Sequence, residues 1–203
     1  LSPFSLGNLR QLRLVSVSEV PTPWLCLQQD LREAGVDPSA LSRTDRHSMA
    51  EHLQALARGE VDVVQAFEPY VTQAEMQGIG QVLHSAHSRG WTAYTTFITT
   101  RGHMQTHGDA FRAMARAIER LPAWLNENGC AALASVVRPY YPQLSTEVLG
   151  RALERYRSAG LWTCRAEISR QGFARLAASM LDSGFVTRSA RYEDCVADWA
   201  WET

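Results

Sequence analysis

Between Leu12 and His84 the chain alternates short apolar runs with amphipathic stretches, and this alternation constrains the fold more than any other feature. Leu12-Arg13-Leu14-Val15-Ser16-Val17 reads as a strand. Thr22 and Pro23 then read as the N-cap and first turn of a helix running to about Ala34, with Leu25, Leu27, Leu31 and Ala34 as its apolar face and Gly35 as its stop. Leu41-Ser42-Arg43 reads as a short strand. Ser48 caps a predicted helix from Met49 to Arg58, with Gly59 past its end. Val61 to Phe67 is apolar enough to be a strand buried on both faces. Pro69 opens another short helix, and Gln81-Val82-Leu83-His84 is a further strand candidate. Strands and helices in strict alternation imply an α/β fold with a doubly wound parallel sheet.

The texture changes after the Thr-rich stretch Tyr94 to Thr99. Phe111, Met114, Ala115, Ile118 and Leu121 have helical spacing, which Trp124 and Leu125 continue. Val148-Leu149-Ala152-Leu153-Tyr156 and Phe173-Leu176-Ala177-Met180-Leu181 repeat it, with Pro139 and Pro142 between. The second half is therefore mainly helical. The expected division is residues 1–95, an α/β lobe, and residues 96–203, a helical segment.

Composition excludes several classes. With 203 residues, 45% hydrophobic and 20% charged, the chain fills a core and is not disordered in bulk. A net charge of -1 gives no basic surplus for phosphate neutralisation, so no nucleic-acid partner is expected. All 20 basic residues are Arg, which removes Schiff-base chemistry, pyridoxal-phosphate anchoring and the P-loop. Any anion would have to be held by Arg, backbone amides or hydroxyls. Cys26, Cys130, Cys164 and Cys195 form no C-x-x-C pair, so zinc-site spacing is missing, and Cys26 among Trp24, Leu25 and Leu27 reads as a buried hydrophobe. His84 and His87, and His103 and His107, have helical spacing without an accompanying acidic pair, so neither a metal nor another cofactor is expected. No Ser-His-Asp order and no Gly-x-Ser-x-Gly elbow is found, so the chain is not read as an enzyme. Arg112, Arg116, Arg120, Arg151 and Arg155 read as solvated helix faces paired with Glu119 and Glu154.

In doubly wound sheets ligands sit beyond the carboxyl ends of the strands. That places Ser18, Glu19 and Thr22 after the first strand and Gln65, Phe67 and Glu68 after Val61–Phe67, with Phe67, Trp24 and Tyr70 as aromatic candidates for stacking a ligand. Some have a second reading: Thr22 as a cap, Glu68 as the favourable charge at the helix start made by Pro69, and the aromatics Trp24, Phe67 and Tyr70 as core.

The segments Val17-Ser18-Glu19-Val20-Pro21-Thr22-Pro23-Trp24-Leu25, Leu31 to Pro38, and Leu56-Ala57-Arg58-Gly59-Glu60-Val61-Asp62-Val63-Val64-Gln65-Ala66-Phe67-Glu68-Pro69 carry a family resemblance. With Tyr94 to Phe97, Ala123-Trp124-Leu125 and Tyr156…Gly160-Leu161-Trp162 in order, the chain is similar to the nitrate, sulfonate, taurine and thiamine-pyrimidine group of substrate-binding proteins of ABC importers. The resemblance implies a type II periplasmic-binding-protein fold, here without the N-terminal part of lobe one. It implies a small organic ligand, sulfonate-like or pyrimidine-like, held between two lobes by hinge closure. Ser18, Glu19, Thr22, Trp24, Gln65, Phe67, Glu68 and Tyr94 become ligand residues, with Thr95 and Thr96 the hinge. It further implies an ABC permease as membrane partner, a periplasmic or other extracytoplasmic location, and self-association to cover the incomplete lobe. Where this chain has Val20-Pro21 the family often has Gly-Ser, which counts against a small inorganic anion. Enzymes of thiamine-pyrimidine synthesis and effector-sensing domains of transcription regulators share the fold and stand as alternatives.

Overall fold

The computed structural model describes residues 3–45, 47–162 and 165–197. It divides into two compact units, Leu1–Gly90 with Leu176–Ser189, and Trp91–Arg175 with Ala190–Thr203.

The first unit holds a parallel sheet ordered β2-β1-β3, formed by β1 (Arg13–Val15), β2 (Ser42–Thr44) and β3 (Val63–Val64). Helices α1 (Thr22–Glu33), α2 (Met49–Ala57) and α3 (Tyr70–Met76) connect and follow the strands. The helix signals work locally. Ser48 accepts from the Glu51 amide while the Glu51 carboxylate accepts from the Ser48 amide, a reciprocal cap that starts α2. Gly35 (φ 70) and Gly59 (φ 68) follow α1 and α2 in the left-handed region that ends a helix without a Cβ clash. Leu9, Leu14, Leu27, Leu31, Val36 and Leu41 form the core, so one face of α1 is buried on the sheet.

Three local expectations are corrected. Helix α1 begins at Thr22 with Pro21 as its N-cap, and no side chain bonds the cap. Pro21 already has helical angles (φ -75, ψ -27), so the proline ring sets the start one residue earlier and Thr22 is not the cap. The strand expected over Val61–Phe67 pairs only at Val63–Val64, which are half-buried. The chain leaves the sheet at Gln65, whose amide bonds the Val15 carbonyl and whose side chain turns to the Pro23 carbonyl. Gln81–His84 is not a strand; it meets no sheet partner among the described residues, and Val82 and Leu83 are exposed.

Register is pinned by one ion pair. Arg13 donates Nε and Nη2 to Asp62 at 2.9 and 2.7 Å, and its amide donates to the same carboxylate at 2.8 Å. Leu14 then lies beside Val63. The hydrogen bonds and charge of Arg13 hold the Asp62 carboxyl at about 2, below its ordinary 3.8. Because the folded value is the lower one, the contribution of ionised Asp62 is complete above 3.8 and is lost as pH falls through about 2. Urea midpoints of wild type and Asp62→Asn should therefore converge in that window; a constant separation down to pH 2 contradicts the pairing.

In the second unit, α4 (Arg101–Val137) changes direction at His107 and at Gly129, whose φ of 76 suits glycine. Its end packs on α5 (Thr146–Ser158) through Ala134, Leu144 and Leu149. Helix α6 (Arg170–Asp182) runs from this unit into the first, and a short α7 (Tyr192–Cys195) follows. Along these helices Arg112 pairs with Asp109, Arg151 with Glu147 and Arg157 with Glu154, and Glu119 accepts from the Ala166 amide. Residues three or four apart on a helix meet most readily, and this sets the side-chain partners. Cys26 is fully buried, and Cys164 lies outside the described residues. No helix among the described residues is long and apolar enough to cross a membrane.

Candidate functional site

The loops after the three parallel strands, at residues 16–20, at 45, 47 and 48, and at 65–68, emerge at the carboxyl edge of the sheet. There a hollow of about 310 Å3 is lined by Val17, Ser18, Val20, Pro21, Trp24, Leu25, Arg43, Asp45 and Phe185. Its wall is built on Arg43. The guanidinium lies 4.2 Å from the Trp24 ring centroid, donates to the Ser16 hydroxyl at 2.7 Å and pairs with Asp45 at 3.0 Å. Ser16 is wholly buried, so this bond satisfies a hydroxyl that would otherwise be costly, and the cation–π contact holds the guanidinium over the indole. Trp24 and Arg43 also line a second hollow of about 290 Å3, but that one is bounded by Pro38, Ser39 and Leu41, which precede β2. The carboxyl edge is where doubly wound sheets bind ligands, so the first hollow is the candidate site.

The expected residues divide by what they touch. Ser18 and Trp24 line the hollow. The Ser18 hydroxyl donates to the His47 carbonyl at 2.6 Å, and this ties the β1 loop to the β2 loop. Glu19 accepts from the Met49 amide at 2.9 Å, so its carboxylate sits on the first turn of α2. Burial pushes the Glu19 carboxyl up, but the amides of Met49, Glu19 and Ser18 and the nearby His52 outweigh it, and the net shift is below 4.5. Glu68 accepts from the Thr72 amide at 3.0 Å on the first turn of α3. Gln65 joins the end of β3 to the start of α1 through its bond to the Pro23 carbonyl. Thr22 and Phe67 are half-buried at the same edge. Tyr94, Thr95 and Thr96 belong to the other unit, and all are exposed.

Two of the three helix starts at this edge are therefore already occupied. Those of α2 and α3 each carry one of the chain's own carboxylates. That of α1 has proline at its cap and again at Pro23, two positions without an N–H. Free amides and a positive helix end are what bind an oxyanion; here the carboxylates offset the starts of α2 and α3, and the prolines remove two of the donors at the start of α1.

Arg43, Asp45 and Phe185 were not expected as site residues. Arg43 had a signal: with no Lys in the chain, a cation in a strand next to the cleft had to be Arg, and strand alternation sets it apart from exposed Ser42 and Thr44. Phe185 had none, since it follows α6, far along the chain from β2. Among the described residues, no group of three or more His, Cys, Asp or Glu could hold a metal; His103 and His107 stack on each other at 4.2 Å.

A parallel sheet with helical connections and a hollow at its carboxyl edge belongs to the doubly wound α/β folds, which bind ligands beyond their strand ends. The crystal structure of the periplasmic aliphatic sulphonate binding protein SsuA from Escherichia coli superposes with a TM-score of 0.68 at 17% identity, covering 97% of this chain and 63% of that one. This likeness establishes the type II fold. The chain matches the model of the NMT1-like family over residues 6–137 and belongs to that family. It is also 22% identical over 143 residues to YtlA of Bacillus subtilis (strain 168), named as a binding protein, covering 70% of this chain and 43% of that protein. The chain thus spans less than two thirds of the length of each of these relatives.

Proposed function

We propose that this chain is part of the solute-binding component of an ABC importer, acting outside the cytoplasm with a membrane permease. Its ligand is a small organic molecule, held at the Trp24–Arg43 hollow and enclosed by hinge closure of two lobes, without bond making or breaking. The observation that carries this reading is the hollow at the carboxyl edge of the parallel sheet, with a stacked aromatic and guanidinium as its wall. Membership of the NMT1-like family supports the binding role. Of the two ligand chemistries the family resemblance offers, the occupied helix starts favour an uncharged or amine-bearing heterocycle over a sulfonate.

The test is a thermal-shift panel on the full-length protein with aminopyrimidines, aliphatic sulfonates and sulfate. A ligand at a hundredfold excess over Kd stabilises by about 2.7 kcal/mol, which raises Tm by several degrees. The expected result is a dose-dependent rise with an aminopyrimidine and none with sulfate. A rise with sulfonates alone overturns the ligand class. Silence across the panel, or turnover of any member, overturns the receptor role.

A further inference from the structure

Within the second unit, α4 carries His103 and His107 one turn apart, and both are exposed. Their rings stack with centroids 4.2 Å apart and planes 17° from parallel. The His103 ring also meets the Phe111 ring edge-on at 5.9 Å, which seats it against the helix. Among the described residues, neither ring nitrogen of His103 has a hydrogen-bond partner. The His107 ring is held differently. Its Nδ1 lies 2.7 Å from the Thr106 hydroxyl, which also lies 3.3 Å from the Gly102 carbonyl and 3.2 Å from the His103 carbonyl. That hydroxyl has one proton. A threonine on a helix ordinarily gives it to a carbonyl of the preceding turn, and Oγ1 then accepts from Nδ1–H. Neutral His107 held in this way has its lone pair on Nε2. Metal-bound histidine has the same arrangement, with one ring nitrogen fixed by a hydrogen bond and the other left to coordinate.

We propose that His103 and His107 form a two-histidine site for a divalent transition ion such as Zn2+ or Ni2+, with Thr106 positioning His107. Two histidines four apart on one helix face are a recurrent chelating pair. Ligand nitrogens about 2.1 Å from a tetrahedral ion lie roughly 3.4 Å apart, so a small side-chain rotation brings the two stacked rings onto one ion. The nearest carboxylate along the helix, Asp109, is paired with Arg112, and no group of three protein ligands forms among the described residues. This counts against a closed structural site but not against an open one, in which water fills the remaining positions. Imidazole ligands suit Zn2+ and Ni2+, whereas Mg2+ takes oxygen ligands. The pair also spans a break in the helix, because the backbone at His107 (φ -127, ψ 22) leaves helical angles. An ion held by both rings ties α4 together across that break. The inference stands on side chains of one helix and does not rest on the solute-binding reading.

The test is isothermal titration of the untagged, EDTA-treated full-length protein with Zn2+, Ni2+ and Mg2+ as chlorides. Wild type should bind Zn2+ and Ni2+ one to one and Mg2+ not at all. His103→Ala and His107→Ala should each weaken Zn2+ binding about tenfold or more, while His84→Ala binds as wild type. Thr106→Val should lose about tenfold, and Thr106→Ser, which keeps the hydroxyl, should bind as wild type. Hydrogen exchange gives a second reading. Zn2+ should slow amide exchange over residues 101–110 in wild type and leave it unchanged in His103→Ala. No Zn2+ uptake by wild type, or undiminished affinity in the two histidine variants, overturns the proposal, as does a loss found only in His84→Ala. Full affinity in Thr106→Val overturns the role given to Thr106.

Discussion

Leu31→Ala is expected to destabilise the sheet-bearing unit by about 3 kcal/mol, within the usual range for a buried leucine cut to alanine. Leu31 is 0% exposed and lies in the cluster with Leu9, Leu14, Leu27, Val36 and Leu41, where α1 meets the sheet. Its removal loses both the transfer free energy of the side chain and the contacts of every neighbour that cannot collapse into the gap. The same change at Leu181, which is 41% exposed, should cost well under half as much. Urea unfolding followed by circular dichroism reads both, with unchanged m-values required for the comparison. A loss below about 1 kcal/mol at Leu31 would mean that α1 is not seated on the sheet as described.

The second large effect concerns the site. Arg43→Ala is expected to weaken ligand binding at least tenfold, about 1.4 kcal/mol. The variant removes the wall of the hollow, uncovers the Trp24 ring and leaves Asp45 without its cationic partner. It also strands the buried Ser16 hydroxyl, so some stability is lost as well. Arg43→Lys separates the two causes. Lysine keeps the charge but cannot stack as a plane or bond in a fork, so affinity should remain low while much of the stability returns.

The elements fixed by local chemistry were the legible ones. Ser48 three residues before Glu51, and Gly35 and Gly59 after amphipathic runs, act through bonds within one turn of helix, so the sequence pattern contains the whole cause. The strand at Val61–Phe67 was overextended because periodicity marks apolar residues, whereas pairing depends on where Gln65 is drawn out of the sheet toward Pro23. Thr22 was misassigned by a single residue because Pro21 competes for the same role. At the site, Glu19 and Glu68 were found by position, but the direction of their carboxylates was not. A carboxylate beside a helix start is the same signal whether it faces a ligand or its own helix, and both turn to helix amides. Phe185 was illegible because its place depends on the return of the chain to the first unit through α6, a non-local contact with no periodic trace.

The central claim is that a small organic solute binds at the carboxyl edge of the sheet, against Trp24 and Arg43. Isothermal titration of an aminopyrimidine into full-length wild type and into Arg43→Ala, side by side, tests it most directly. The account predicts one-to-one binding to wild type and at least a tenfold weaker constant for the variant. Equal affinity in the two proteins, or binding of sulfate or an aliphatic sulfonate in place of the heterocycle, would contradict it.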